Sequence, residues 1–323
     1  MIWVGWRQQR TETLIAGAVL VVIAAIVIPV GIHMASVYTH EGLAACGANA
    51  QPGTACGLAI PSFQIRFNLL DILFTWSTLL PPIAALLFAA PFILDLDSGT
   101  YRLLWTQSIT RRRWIVTKLG LGIAATVLVA VLLSVLATWL RAPLDHLNGR
   151  LGSSTYDAEG LVPIAYALLA LGVAVALGAV WRRTVPALLT AFVLYVVARA
   201  FVDSWLRQRL VDATRVTWHI GGGGGPSNST LNRALVIHQY LSDKTGRAIA
   251  GANEICVRTS AGALPHTRIS GPCLLPSAHG YMTVVFIPAS RFWELQAIEF
   301  GIVAGIGALL VAAAGWWTYR RIA

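Results

Sequence analysis

The sequence predicts an all-α polytopic membrane protein. It has six transmembrane helices, an N-terminal interfacial elbow helix and a large extracytoplasmic insertion between helices five and six. Three observations predict this. The 323 residues are 56% hydrophobic and 12% charged, with a mean hydropathy of +0.68, which no ordinary soluble domain shows. Six apolar runs reach the roughly 20 residues that a helix needs to cross about 30 Å of hydrocarbon. Basic residues gather in alternate connections between those runs.

The runs are Leu14–Met34, Ile72–Leu94, Leu119–Leu140, Leu161–Trp181, Val185–Val202 and Phe300–Thr318. They are rich in Ala, Val, Leu and Gly without period-two alternation, so helices are favoured over a barrel. The fifth is the weakest, because Arg199 lies inside it. The first is too long for a signal-peptide core, and Met34-Ala35-Ser36 is a poor cleavage site after Pro29, so it is expected to stay as a helix. With the N-terminus inside, the inner segments hold Arg7, Arg10, Arg102, Arg111, Arg112, Arg113, Lys118, Arg182, Arg183, Arg320 and Arg321. The short outer loops hold only Arg66, Arg141 and Arg150. Eleven against three is a clear positive-inside bias. The long segment 203–299 does not count, because long loops cross regardless of charge. The net charge of +10 is thus mostly topology and anionic-lipid contact, not a nucleic-acid footprint.

The chain divides into residues 1–202, with spans one to five, the elbow and a cytoplasmic loop at 95–118; residues 203–299, the outer insertion; and residues 300–323, the sixth span and tail. In the elbow, Ile2, Trp3 and Trp6 share one face, with Arg7 and Arg10 toward the polar side. All four cysteines fall outside under this topology: Cys46 and Cys56 in the first outer loop, Cys256 and Cys273 in the insertion. Three pairings are open, and the local one, 46 with 56 and 256 with 273, is the simplest. Disulfides need an oxidising compartment.

The second span carries Pro81-Pro82 and Pro91, which kink a helix. Such a kink either lines a pathway or serves packing. The inner turn Arg182-Arg183-Thr184 is short enough to make spans four and five a tight antiparallel hairpin. The insertion begins amphipathically, runs through Gly221–Gly225 as a flexible linker, and is predicted helical over Asn228–Asp243, with a β-like piece at Tyr281–Ile287. The sequon Asn228-Ser-Thr is accidental if the source is bacterial.

No phosphate loop, His-Glu-x-x-His or Gly-x-Ser-x-Gly occurs. His33, Asp71, Arg199 and Glu299 are the ionisable residues near the bilayer, all close to its outer boundary. An ion-driven carrier usually places carboxylates or histidines at mid-depth, so a secondary transporter is disfavoured. Arg199 and Asp203 have i,i+4 spacing and form a candidate pair, although snorkelling of Arg199 is favoured. Glu299 touches an outer gate or caps the last helix, and capping is favoured.

The inner loop 95–118 is the most informative stretch. Asp95 and Asp97 precede Gly99-Thr100, with Leu103, Leu104 and Trp105 expected on a short protruding helix. Arg111, Arg112, Arg113 and Trp114 are expected to anchor the next span at the headgroups. A helix with an aromatic knob suits the groove of another protein. The stretch Asp-Leu-Asp-Ser-Gly-Thr-Tyr-Arg-Leu-Leu-Trp-Thr-Gln-Ser-Ile-Thr-Arg resembles the coupling segment of actinobacterial ABC type-2 transporter permeases. Arg182–Ala187 and Pro288–Glu299 are similar to that family's lead-ins to spans five and six, and Trp6–Arg10 fits its elbow. Two departures stand out: both family glutamates are aspartates here, and the preceding basic residue is Leu94.

The resemblance implies the permease subunit of an ATP-driven exporter in a bacterial cytoplasmic membrane, multi-pass with both termini cytoplasmic. It implies no cofactor in this chain, with ATP and Mg on a separate ABC ATPase, two copies per complex, and a second permease chain, identical or homologous. Asp95, Asp97, Gly99, Thr100, Trp105, Thr106 and Arg111 are the implied coupling residues. Spans two and five are the implied pathway, with Phe74, Trp76, Phe88, Phe192 and Tyr195 as apolar walls suited to an amphipathic or lipid-like cargo. Arg199, Asp203 and Glu299 are the outer-gate candidates. The alternative is a non-transport sensor or scaffold whose insertion binds a ligand or peptide. A neighbouring gene for an ABC ATPase favours transport, and one for a kinase favours sensing. An intramembrane enzyme is disfavoured by the missing catalytic constellations.

Overall fold

A computed structural model describes residues 2–46, 55–100, 110–219, 225–226, 230–231, 233–248 and 281–321, with the side chains of residues 2–9, 71, 153 and 154 outside that description. Trp105, Thr106, Cys256, Cys273, glycines 221–224 and Asn228 therefore lie outside the described residues.

The chain is mostly helical, and among the described residues six helical segments are long and apolar enough to cross a membrane. The first is α1 (Ile2–His40), unbroken over 39 residues. The expected elbow is thus not a separate element, since Thr11-Glu12-Thr13 holds no helix breaker. At 1.5 Å per residue α1 is about 58 Å long, nearly twice the hydrocarbon thickness, so its ends project beyond the bilayer. The first loop is shorter than the sequence suggested: it closes with the disulfide Cys46–Cys56 and continues as α2 (Ala55–Arg66).

The second span is two helices, α3 (Asn68–Ser77) and α4 (Leu80–Ser98). The break falls just before Pro81 and Pro82, which sit in the first turn of α4 where missing N–H groups cost nothing. Ser77 and Thr78 turn their hydroxyls back onto the carbonyls of Phe74 and Thr75, at 2.8 and 2.7 Å. The third span, α5 (Arg111–Asn148), has 38 residues and carries Arg141 and Asp145 past the apolar zone. A short helix, α6 (Ser153–Ala158), leads to α7 (Val162–Trp181). Arg182, with φ of 51°, turns the chain into α8 (Thr184–Phe201). A π-helical turn, Val202–Leu206, and a 3-10 turn, Arg207–Arg209, extend it. The last span is α9 (Phe292–Arg321), which starts two turns earlier than the apolar run.

The core lies around α7, which packs against α4, α5, α8 and α9. Its closest approach is to α9: a Cβ at Gly172 would stand 2.5 Å from the Gly307 carbonyl oxygen, so only glycine fits this crossing. Trp114, expected as a headgroup anchor, turns its side chain into the protein, buried and stacked on Phe92 with 5.6 Å between centroids.

The insertion corrects the all-α expectation. Strands β1 (Thr214–His219), β2 (Leu235–Ser242) and β3 (Tyr281–Ile287) form an antiparallel sheet in the order β1-β3-β2. β3 falls on the predicted β-like piece. Within the predicted helix over Asn228–Asp243, Leu235–Ser242 is instead β2, where Val236 pairs with Phe286 and Tyr240 with Thr283 across the sheet. β-branched and aromatic residues gain more from such cross-strand pairing than from helical propensity.

Candidate functional site

Three regions carry the candidate chemistry: the arginine-rich end, a cavity at the helix break, and the opposite end of the bundle.

At the arginine-rich end, helix α4 stops at Gly99, whose φ of +73° provides the left-handed cap that closes it. Asp97 Oδ2 accepts hydrogen bonds from the backbone N–H of Thr184 at 2.9 Å and from its hydroxyl at 2.8 Å. A carboxylate there satisfies orphan donors and the dipole at the start of α8. Asp95 Oδ2 lies 2.7 Å from the ammonium of Lys118, a buried lysine on α5. The Thr100 hydroxyl donates to Asp95 Oδ1 at 3.3 Å and contacts the Ser98 hydroxyl. Arg111 opens α5. The predicted coupling carboxylates thus have partners in their own chain, tying the end of span two to spans three and five. The sequence reading missed those partners, Lys118 and Thr184.

An apolar cavity of about 130 Å³ opens beside the α3–α4 break. Ser77, Thr78, Leu80 and Pro81 of the break line it together with Val27 of α1, Leu133 of α5 and Asp157 of α6. Of the five predicted wall residues, only Phe74 lines it. Phe88 is buried against Ala16 and Val129. Trp76 is 66% exposed and faces outward. Phe192 and Tyr195 pack together near α7, 6.3 Å between centroids.

At the opposite end, a buried ionic network joins four elements. Arg207 is 2% exposed. Its Nε and Nη2 donate to the two Glu299 oxygens at 3.0 Å each, and it also reaches Asp203 and Asp157. Its guanidinium lies over the Tyr156 ring at 4.3 Å. Arg199 donates to Asp157 Oδ2 at 2.7 Å and to the Tyr195 hydroxyl at 3.2 Å. The Tyr166 hydroxyl donates to Glu299 Oε1 at 3.0 Å. Beside it, Gln296 accepts from the N–H groups of Leu161 and Val162 and donates to the carbonyls of Tyr156 and Glu159. That fastens the α6–α7 turn to α9.

These contacts correct two expectations. Arg199 neither snorkels nor pairs with Asp203; Asp157 holds it, and Asp203 pairs one turn onward with Arg207. Glu299 does not cap α9 but lies in its interior, fully buried. A second group adjoins. Arg150 Nε donates to Glu159 Oε2 at 2.9 Å and approaches Asp145 at 3.8 Å. Arg141 lies 3.4 Å from Asp145 and 3.8 Å from Glu159. Burial, and then the charge of Asp145, push the Glu159 carboxyl up to about 8. The sequence reading missed Asp157, Glu159, Arg207 and Gln296. Spacing gave one signal: Gln296 and Glu299 fall on one face of α9 once that helix is started at Phe292.

The sequence matches the family model described as ABC-2 membrane transporter related over residues 17–207, more than half of the chain. The match runs from the first span to Arg207. No curated protein and no solved structure matches the chain. With six candidate spans and this match, the chain belongs to the ABC-2 membrane transporter related family, as a transporter's membrane subunit of a class that works with an ABC ATPase in general.

Proposed function

We propose that the chain is the permease subunit of an ATP-driven exporter that moves an amphipathic or lipid-like substrate out of a bacterial cell. Two copies of a separate ATPase dock at its arginine-rich end, and a second permease chain completes the pathway. The carrying observation is the apolar cavity at the discontinuity of span two. Broken helices persist at membrane depth only where protein or a cavity receives the freed backbone. Two features support the orientation: the basic residues gather at one end, and the Cys46–Cys56 disulfide lies at the other, as an oxidising exterior requires.

The proposed stroke begins when nucleotide-driven closure of the ATPase pushes on residues 95–114. Gly99 is the pivot. The Asp97–Thr184 bonds pass the push to α8, and the Asp95–Lys118 pair passes it to α5. The break at residues 78–79 lets α4 tilt while α3 stays with the outer end. The network around Arg207 holds α6, α8 and α9 together until cargo leaves.

The test is transport by the purified complex in proteoliposomes. A fluorescent short-chain phospholipid or a hydrophobic dye should move with ATP, and Ala137→Trp, which fills the cavity, should cut that movement at least tenfold. Movement of a small hydrophilic solute alone would contradict the proposal.

A further inference from the structure

A groove of about 640 Å³ runs between α5 and α9 at the arginine-rich end. Its floor is apolar, made by Ile115, Leu119 and Ile123 of α5 and Val311 of α9. Trp316 and Tyr319 flank it, both about half exposed, and Arg112 stands at its mouth. Gly120 keeps it wide: a Cβ there would meet nothing within 4 Å. No acidic residue lines the groove. Arg112 has no carboxylate partner among the described residues. Arg320 does not line the groove but holds a second guanidinium 5.1 Å from the ring centroid of Trp316, which does.

We infer that this groove is a binding site for one anionic glycerophospholipid, its phosphodiester at Arg112 and Arg320 and one acyl chain along the floor. Length supports the occupant. Arg112 to Ile123 spans about 16 Å of helix rise, close to the half-thickness of a hydrocarbon core of about 30 Å. Charge supports it too, because basic pockets between helices at a membrane surface attract anionic headgroups. Trp and Tyr at that depth place their polar edges among the headgroups and their rings against the chain. A zwitterionic lipid offers the same acyl chain but no net charge for the arginines. The site stands whichever cargo the chain carries and whichever side this end faces.

Native mass spectrometry of the delipidated full-length protein tests it, with phosphatidylglycerol and phosphatidylcholine of identical acyl chains in competition. The wild type should retain one phosphatidylglycerol in preference. Arg112→Gln should lower that retention about fivefold, the loss of about 1 kcal/mol per basic residue at a charged surface, and leave phosphatidylcholine unchanged. Gly120→Phe should lower retention of both lipids by filling the groove, with no change in melting temperature. Millimolar inorganic phosphate should not displace the lipid. Equal retention of the two lipids by the wild type would overturn the inference. So would unchanged retention in either variant, or displacement by phosphate alone.

Discussion

Arg207 faces Asp157, Asp203 and Glu299 from a position closed to solvent. Removing one member of a buried ion network strands the others, which costs about 3–5 kcal/mol. Arg207→Met should therefore destabilise the detergent-solubilised protein by that amount in chemical denaturation. Arg207→Met combined with Glu299→Leu should recover part of the loss, because fewer charges are then left unpaired. Glu159 gives a pH-dependent counterpart. Its folded carboxyl holds a proton to about pH 8, against an ordinary value of 4.5. The native state binds more protons between those values, so this group's stabilisation is complete below about 4.5 and is lost as pH rises to about 8. Glu159→Gln should flatten a thermal-stability profile measured across that window. Little of this network was legible in the sequence. Asp157 meets Arg207 across 50 positions, and Tyr166 meets Glu299 across 133; single-sequence spacing reports only neighbours such as Arg199 and Asp203, which the fold then pairs elsewhere.

Apolarity made the spans readable, since each run carries its own signal. Their ends were less readable. Helices α1, α5 and α9 overrun their apolar runs because polar residues in a helix outside the bilayer still satisfy their backbone locally. The three-stranded sheet was only partly legible: β3 showed as a β-rich run, but β1 and β2 gain stability from pairing with it and carry weaker signals of their own. Of the three prolines expected to kink span two, the Pro81-Pro82 pair adjoins its break at residues 78–79, whereas α4 runs on through Pro91. At the arginine-rich end, the Asp97–Thr184 link ties span two to span five. Asp97→Asn keeps an acceptor but loses the charge. Thr184→Val removes the hydroxyl donor, and with Asp97→Asn should uncouple the stroke. Single-turnover measurements on the assembled complex should show ATP hydrolysis within twofold of wild type and transport reduced at least tenfold. Loss of both together would place the link in ATPase docking.

For the molecule as a whole, α7 is the axis, while α1 and α8 turn long apolar faces outward, with Leu14, Val21, Leu189 and Val197 among the exposed residues. Such faces are at home against lipid or another membrane helix. The family match ends at Arg207, so the sheet-bearing insertion and the last span lie outside it and rest on hydropathy, local sequence pattern and the fold. The proposed stroke requires a motor partner that grips the arginine-rich end. Affinity purification of the tagged chain from native membranes, with mass spectrometry and an ATP-hydrolysis assay on the eluate, tests that most directly. A chain bearing a phosphate loop and an ABC signature should copurify with the wild type, and Trp105→Ala should lose at least tenfold of it while the permease remains folded. A wild-type chain recovered intact from the membrane with no such ATPase, or one retained fully by Trp105→Ala, would contradict that stroke.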